Sequence, residues 1–361
     1  MGSVNPIFIL EFGDCEYANV QGESTGKVYA AHRERELRRK IWKDVEYMKQ
    51  GIRTDLAVEI RESIEKEGEI PGVELTTEED AGSGAKISKV IIKNNEGQRV
   101  MQKPIGTYIT IETGELTVCE DEEREKIADT ITRYLLELSP GTERRQNGIL
   151  VVGLGNRDIT PDALGPWVVG QLPATRHLHR AFPELLDKEN PGIPLAAIAP
   201  GVMGQSGMEA VEVIKGVVRE IEPDVVVIID ALAARSTERL NRTVQMTDSG
   251  ISPGAGVGNF RSEISKKVLG VPVIAVGVPT VIDAATIVSD RMERALQKNG
   301  LTESEIEQFL QMLPEEEDRF FVTPKDVDEA VRRIGDVIAQ GIDRAFGHPL
   351  KSSNYSTTDK M

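Results

Sequence analysis

Apolar and polar positions follow two different rules along this chain, and the change falls near residue 148. Between residues 53 and 147, the stretches ISKVIIKN (87–94) and TYITIET (107–113) alternate with period two, the pattern of strands with one face in a core. A charged helical pattern follows from about Glu120 to Leu138, and its acidic run EDEER (120–124) suits a first helical turn, where the backbone dipole favours negative charge. From residue 148 continuous apolar runs replace the alternation. ILVVGLG, LAAIAPG, VVVIIDAL and VPVIAVGVP read as strands covered on both faces. Helical patterns separate most of them: one from about Asp162, then MEAVEVIKGVVREI, then IDAATIVSDRMERALQ after the last run. Strand followed by helix, repeated, predicts a parallel sheet with right-handed crossovers. VVVIIDAL is expected to close at Asp230 and give way to a charged turn. NRTVQMTDSG (241–250) alternates and reads as an added edge strand, and ISPGAGVGNF after it as a glycine-rich loop. The tail from Thr323 opens with Thr-Pro and keeps a helical period to about Phe346.

The expected fold is α/β, a mainly parallel central sheet flanked by helices with an N-terminal α+β addition. Four regions follow: a leader over 1–55, expected to be partly disordered; an α+β portion over 56–147 packed on the core; an α/β core with a C-terminal helix over 148–347; and a disordered tail over 348–361. The leader mixes Gly, Ser and Asn with the charged run HRERELRRKIWKD. At 361 residues the chain can bury a substantial core, and its formal net charge of -16 argues against a direct nucleic-acid partner bound through broad phosphate neutralisation. Cys15 and Cys119 are the only cysteines, too few for a disulfide framework or a Cys-based zinc site, which fits a reducing, cytoplasmic compartment. PIFILEF is too short to span a bilayer, so no membrane partner is expected.

The chemistry concentrates after the first apolar run, in GILVVGLGNRDITPDALGP (148–166). Gly153 and Gly155 between a strand and a helix suggest a dinucleotide cradle, but the third fingerprint position is Asp158, whose charge would repel a pyrophosphate. Thr160 and Pro161 read as an N-cap and first-turn proline, placing Asp162 in the first turn of a helix at a strand's carboxyl end. Asp230 ends a run without other polar groups and is expected at the same edge. Adjacent parallel strands lie about 5 Å apart, so the two carboxylates can share a water, with repulsion keeping one protonated. Such a pair can serve as general base and general acid on a peptide bond. The residues alone leave two readings open, because Asp162 can equally stabilise a helix start and Asp230 a turn. His177 and His179 sit two apart on a helical segment and do not share a face, so no histidine zinc site is expected, whereas a carboxylate metal site at Asp162 and Asp230 stays open. Ser206 in GQSGM falls one residue short of a G-x-S-x-G elbow and reads as a loop and helix cap.

The strings VVGLGNRDITPDALGP, APGVMGQSGMEAVEVIKGVV, VVVIIDALAARSTERLN, TDSGISPGAGVGN, GVPVIAVGVPTVIDA and VTPKDVDEAV together resemble the germination protease family of spore-forming bacteria, from about Gly51 to about Ala345. The resemblance implies a fold similar to that of the hydrogenase maturation endopeptidases. It also implies an atypical aspartic endopeptidase without a cofactor, which degrades small acid-soluble spore proteins during germination in the cytoplasm of the spore core. The family's catalytic aspartates fall on Asp162 and Asp230. It further implies a tetramer, made as a zymogen that cuts its own leader at Asp55–Leu56, within TDLAVE, a sequence similar to the substrate pattern Thr-Glu-(Phe or Ile)-Ala-Ser-Glu. An acidic residue before the cut asks for a basic contact, for which Arg235 and Arg239 are candidates beside a solvated-face role. The leader is longer than the family's usual propeptide, and the stretch between Asp290 and Thr323 is shorter than the family's. The alternatives are a metal-dependent endopeptidase of the hydrogenase-maturation kind and a non-catalytic nucleotide-binding spore protein.

Overall fold

The structure, a computed structural model, describes residues 54–64, 70–116, 119–139, 147–186, 192–254, 261–302, 305–306, 308–309 and 320–347. The leader before Thr54, the glycine-rich stretch 255–260 and the tail from His348 lie outside the described residues, as do the expectations made for them. The strands are β1 (Val73–Glu79), β2 (Lys86–Ile92), β3 (Gly106–Glu112), β4 (Ile149–Gly153), β5 (Leu195–Ile198), β6 (Val225–Ala234), β7 (Thr243–Thr247), β8 (Val273–Asp283) and β9 (Phe321–Val322). The longer helices are α1 (Ala57–Ile64), α2 (Asn95–Met101), α3 (Asp121–Leu138), α4 (Leu164–Gln171), α5 (Ala210–Ile221), α6 (Ala284–Lys298) and α7 (Val327–Phe346).

One nine-stranded sheet runs in the order β1-β2-β3-β7-β8-β6-β4-β5, with β9 paired to β8. The expected parallel core is β5-β4-β6-β8. The N-terminal α+β portion continues the same sheet edge to edge, because β3 pairs antiparallel with β7 and β7 with β8. This corrects the reading of NRTVQMTDSG as an edge strand. All of β7 is buried between two neighbours, so its alternation separates an apolar row, Val244 and Met246, from a polar row, Thr243, Gln245 and Thr247. Those polar side chains face a buried surface, not solvent.

Two apolar layers hold the sheet. On one face the stripes of α3, α4 and α7 cover Val151, Val227, Ile229 and Val276. The α7 stripe, Val327, Ala330, Val331, Ile334, Val337, Ile338 and Ile342, repeats at three and four residues, so its buried side is fixed by helical period alone. On the other face Val211, Ile214 and Val218 of α5 pack on Leu150, Val152, Val226 and Ile228. A capping box between Glu209 and Glu212 starts α5, as the polar residues before its apolar period require. Further along that face, beyond the end of β4, a smaller cluster gathers Leu56, Val58, Leu232, Ala234, Leu240 and Ile282. That cluster seats the first residues of α1.

Candidate active site

The first carboxylate is placed by a close turn. After β4, Leu154 still donates its N–H to Ile229 O at 2.8 Å, and the chain then reverses at Gly155, whose φ is +113°. A Cβ on Gly155 would lie 1.9 Å from Asp162 O and 3.0 Å from its Oδ1, so only glycine lets this turn close on the aspartate. The space that resembled a phosphate cradle is filled by Asp162. Thr160–Asp162 forms a single 3-10 turn capped at Ile159, and α4 begins at Leu164, so Thr160 is not the side-chain N-cap that the Thr-Pro pair suggested. Asp162 Oδ2 accepts the Asn156 N–H at 2.8 Å. Thr280 Oγ1 donates to Pro161 O at 2.6 Å, and Thr323 Oγ1 to Thr280 O at 3.0 Å, so β8 and the entry to α7 brace the turn.

The second carboxylate does not end its strand. β6 runs on to Ala234, because β8 pairs with it through Ile282, with a register shift between Leu232 and Ala233. Its other neighbour stops sooner, since Gly153, the last residue of β4, pairs with Ile229. Asp230 is therefore the first β6 residue left open on the β4 side, beside the returning Asp162 turn. It is 6 % exposed. Burial first, then the charges of Asp162 and Asp55, hold its carboxyl well above the usual range, against the Ala231 N–H and Arg261. Burial also raises Asp162, opposed by the Asn156 N–H and Arg261. Of the two, Asp162 gives up its proton first, and Asp230 holds its own to higher pH.

Asp55, which carries one of the charges acting on Asp230, lies against the free extension of β6. Its N–H donates to Ala233 O at 2.8 Å, and its Oδ2 accepts the Ala233 N–H at 2.9 Å, so backbone and side chain together extend the ladder. The peptide oxygen of Asp55, which belongs to the Asp55–Leu56 bond, accepts from Lys103 Nζ at 2.9 Å and from Gln245 Nε2 at 3.0 Å. Gln245 Oε1 accepts the Ala57 N–H at 2.6 Å, so one amide grips the chain on both sides of that bond. Leu56 is fully buried in the small apolar cluster, and Glu59, also buried, accepts the Arg235 N–H at 2.7 Å and the Ser236 N–H at 2.9 Å.

Arg235 and Arg239 do not meet Asp55 as a basic contact. Arg235 pairs with Asp290, and Arg239 binds Glu62 at 2.7 and 2.8 Å and approaches Glu59 at 3.6 Å, four residues past the bond. The acidic side chain before the bond is met by a backbone amide instead. His177 and His179 share the short helix Arg176–Ala181; Ser206 ends a helical turn, Met203–Ser206, and its Oγ accepts the Met208 N–H at 3.2 Å, but the helix that follows is capped by Glu209 and not by Ser206 as expected. Among the described residues no three His, Cys, Asp or Glu side chains gather as a metal-binding group. Asp162 and Asp230 without a third such ligand do not fit the three-ligand set of a catalytic zinc.

Glu59 is the closing Glu of TDLAVE, but Lys103, Gln245 and Thr280 are not singled out by any local chemical motif. Of these three Gln245 alone left a trace, as a long polar side chain within an otherwise apolar and threonine stretch.

Comparison with known proteins places the chain. The germination protease family profile matches residues 53–317. The chain is 42% identical over 326 residues to the germination protease of Clostridium tetani, covering 85% of this chain and 99% of that protein. It is 44% identical over 318 residues to that of Clostridium perfringens, covering 82% and 95%. It is 36% identical over 368 residues to that of Priestia megaterium, covering 87% and 98%. Among solved structures, the [NiFe] hydrogenase maturation protease HycI from Thermococcus kodakarensis KOD1 aligns at 18% identity and a TM-score of 0.30, covering 58% of this chain and 99% of that one. With the family profile spanning most of its length and relatives aligned nearly end to end, the chain belongs to the germination protease family of peptidases.

Proposed function

We propose that Asp162 and Asp230 are the catalytic pair of this peptidase, that the chain is made as a zymogen and cuts its own Asp55–Leu56 bond, and that the processed enzyme then degrades small acid-soluble spore proteins. The observation that carries the proposal is the seating of Asp55–Leu56 at the open end of β6, where the charge of Asp55 joins that of Asp162 in acting on the buried Asp230. The ionised Asp162 takes a proton from water as the water attacks the Asp55 carbonyl carbon. The protonated Asp230 gives its proton to the leaving Leu56 nitrogen. With Thr54 to Glu59 in the site, a substrate segment of similar pattern has to displace them, which accounts for an inactive precursor. The enzyme works in the cytoplasm of the spore core as a tetramer, which light scattering on the purified protein checks.

The test is the full chain, its Asp162→Asn and Asp230→Asn variants, and a peptide carrying Thr-Glu-Ile-Ala-Ser-Glu, followed by mass spectrometry with and without chelator. Cleavage after Asp55 and after the peptide's first Glu, lost in both variants and indifferent to chelator, is the expected result. Full cleavage in either variant overturns the pair. Loss to chelator with recovery on adding a divalent ion overturns the metal-free mechanism.

A further inference from the structure

The proposed acid and base account for the water and the leaving nitrogen, but a peptide carbonyl under attack also needs its oxygen held as charge develops there. Around the Asp55–Leu56 bond that place is occupied. The Asp55 oxygen takes two donors, Lys103 Nζ at 2.9 Å and Gln245 Nε2 at 3.0 Å, both within the distance at which preorganised donors act on an oxyanion. Neither donor belongs to the strands that carry the aspartates. Lys103 comes from the loop between α2 and β3, and Gln245 from β7.

The sheet register explains why they converge. On β8, Gly277 pairs with Asp230 on one side and with Gln245 on the other. Residues paired across a sheet point to the same face, so Asp230 and Gln245 rise on either side of a residue with no side chain, about 10 Å apart along the row. A Cβ on Gly277 would lie 2.5 Å from Leu232 Cδ1, so the glycine makes room for the apolar cluster that receives Leu56. The peptide bond sits above this row. Lys103, itself half-buried, approaches it from the α2–β3 loop; desolvation disfavours its charged form, and its counter-charge comes from Asp55. A partly desolvated cation with a peptide oxygen as its hydrogen-bond partner is costly for a mere tether, whereas a carbonyl that becomes an oxyanion returns that cost in the transition state.

We propose that Lys103 and Gln245 are catalytic residues that form the oxyanion site for hydrolysis of the Asp55–Leu56 bond. The inference rests on the reading of Asp162 and Asp230 as base and acid. As water adds to the Asp55 carbonyl carbon and Asp162 takes its proton, the carbonyl π pair moves onto oxygen, where Lys103 and Gln245 hold it. When the C=O bond re-forms, the C–N bond breaks, and the Asp230 proton goes to nitrogen. This leaves a carboxyl on Asp55 and an amine on Leu56, and the proton gained by Asp162 passes to Asp230 to reset the pair. The second bond of Gln245, from the Ala57 N–H, fixes the chain beyond the cut so that the carbonyl cannot swing off the donors.

The experiment measures first-order self-cleavage of the full chain in wild type, Lys103→Met and Gln245→Glu, with hydrogen exchange of α1 recorded on each protein before cleavage. Methionine fills the lysine's volume without a donor. A fall of about 100-fold or more in rate in Lys103→Met, with α1 as protected as in wild type, is expected. Gln245→Glu keeps the acceptor for Ala57 and removes the donor to Asp55, so it too should slow cleavage while α1 stays docked. Wild-type rates in Lys103→Met and Gln245→Glu overturn the proposal, as does a loss of rate that merely matches a loss of α1 protection. If the wild-type chain does not cut at Asp55–Leu56 at all, the reading of the aspartates falls as well. A failure confined to Lys103 and Gln245 is seen only in their variants.

Discussion

The two halves of the sheet do different work around one bond. The parallel half, β5-β4-β6-β8, supplies the two carboxylates and the apolar strands that bury one of them. The antiparallel half, β1-β2-β3-β7, supplies the side chains that hold the oxygen of the bond, Lys103 before β3 and Gln245 on β7, while Ala233 of β6 holds Asp55 itself. They meet along β8, where Gly277 pairs with one half on each side. The contrast teaches that the acid–base pair and the grip on the substrate are separable, and each half can be disabled while the other is left standing.

The largest expected effect comes from the parallel half. Asp162→Asn or Asp230→Asn should lower self-cleavage by about 1,000-fold or more, because each removes a proton-transfer group, while α1 stays docked as hydrogen exchange reports. If either substitution released α1, the division between the halves would be broken, since a carboxylate would then be holding the peptide. The next effect, about 100-fold, is that of Lys103→Met, with the carboxylates intact.

The carboxylates of the parallel half were open to reading from the residues; of the antiparallel half the strands β2, β3 and β7 were, but the side chains that meet the bond were not, for a physical reason. Four apolar residues before Gly-x-Gly and a Thr-Pro-Asp after them announce a strand exit and a turn that carries a carboxylate, all within one short stretch. Asp230 announces itself as the one charge in an apolar run. What followed Asp230 was misread, because Ala231, Leu232, Ala233 and Ala234 have little strand preference and are held extended by pairing with β8. Gln245 and Lys103 depend wholly on such pairing. Their positions relative to Asp55 follow from the β3–β7 and β7–β8 registers, which bring distant segments together and leave no local signal. β7 alternates like an exposed edge because its second buried face is lined with polar groups that a peptide covers, and alternation cannot tell that cover from water.

A third substitution sharpens the comparison by touching neither half's chemistry. Glu59 sits beyond the bond and accepts two backbone N–H groups past the end of β6. Glu59→Gln replaces one acceptor oxygen with a donor and leaves a buried N–H unpaired, at a cost of about 1–3 kcal/mol. Protection of the α1 amides should fall by about tenfold or more, with self-cleavage slowed by only a few fold while docking remains favourable. A collapse of cleavage as large as that of Lys103→Met would mean that docking, not polarisation of the carbonyl, limits the reaction.

The smallest effect concerns stability. Asp230 keeps its proton in the folded protein well above the pH at which an unfolded aspartate loses it, near the ordinary value of 3.8. The folded state therefore binds more protons than the unfolded one as pH rises from that value toward the raised folded value. Stability from the protonated carboxyl is fully present below that window and is lost through it, by about 1.4 kcal/mol per pH unit for one proton. Asparagine carries no proton to lose. Asp230→Asn should melt close to wild type at pH 4 and progressively above it toward neutral pH, the gap opening upward only. Because Asp162 shares the site, the slope belongs to the pair, and Asp162→Asn should flatten part of it by removing one of the charges that raise Asp230. A melting gap that narrowed as pH rose would mean that Asp230 is ionised in the folded protein, and the acid would then have to come from the other half of the sheet, from the Lys103 ammonium.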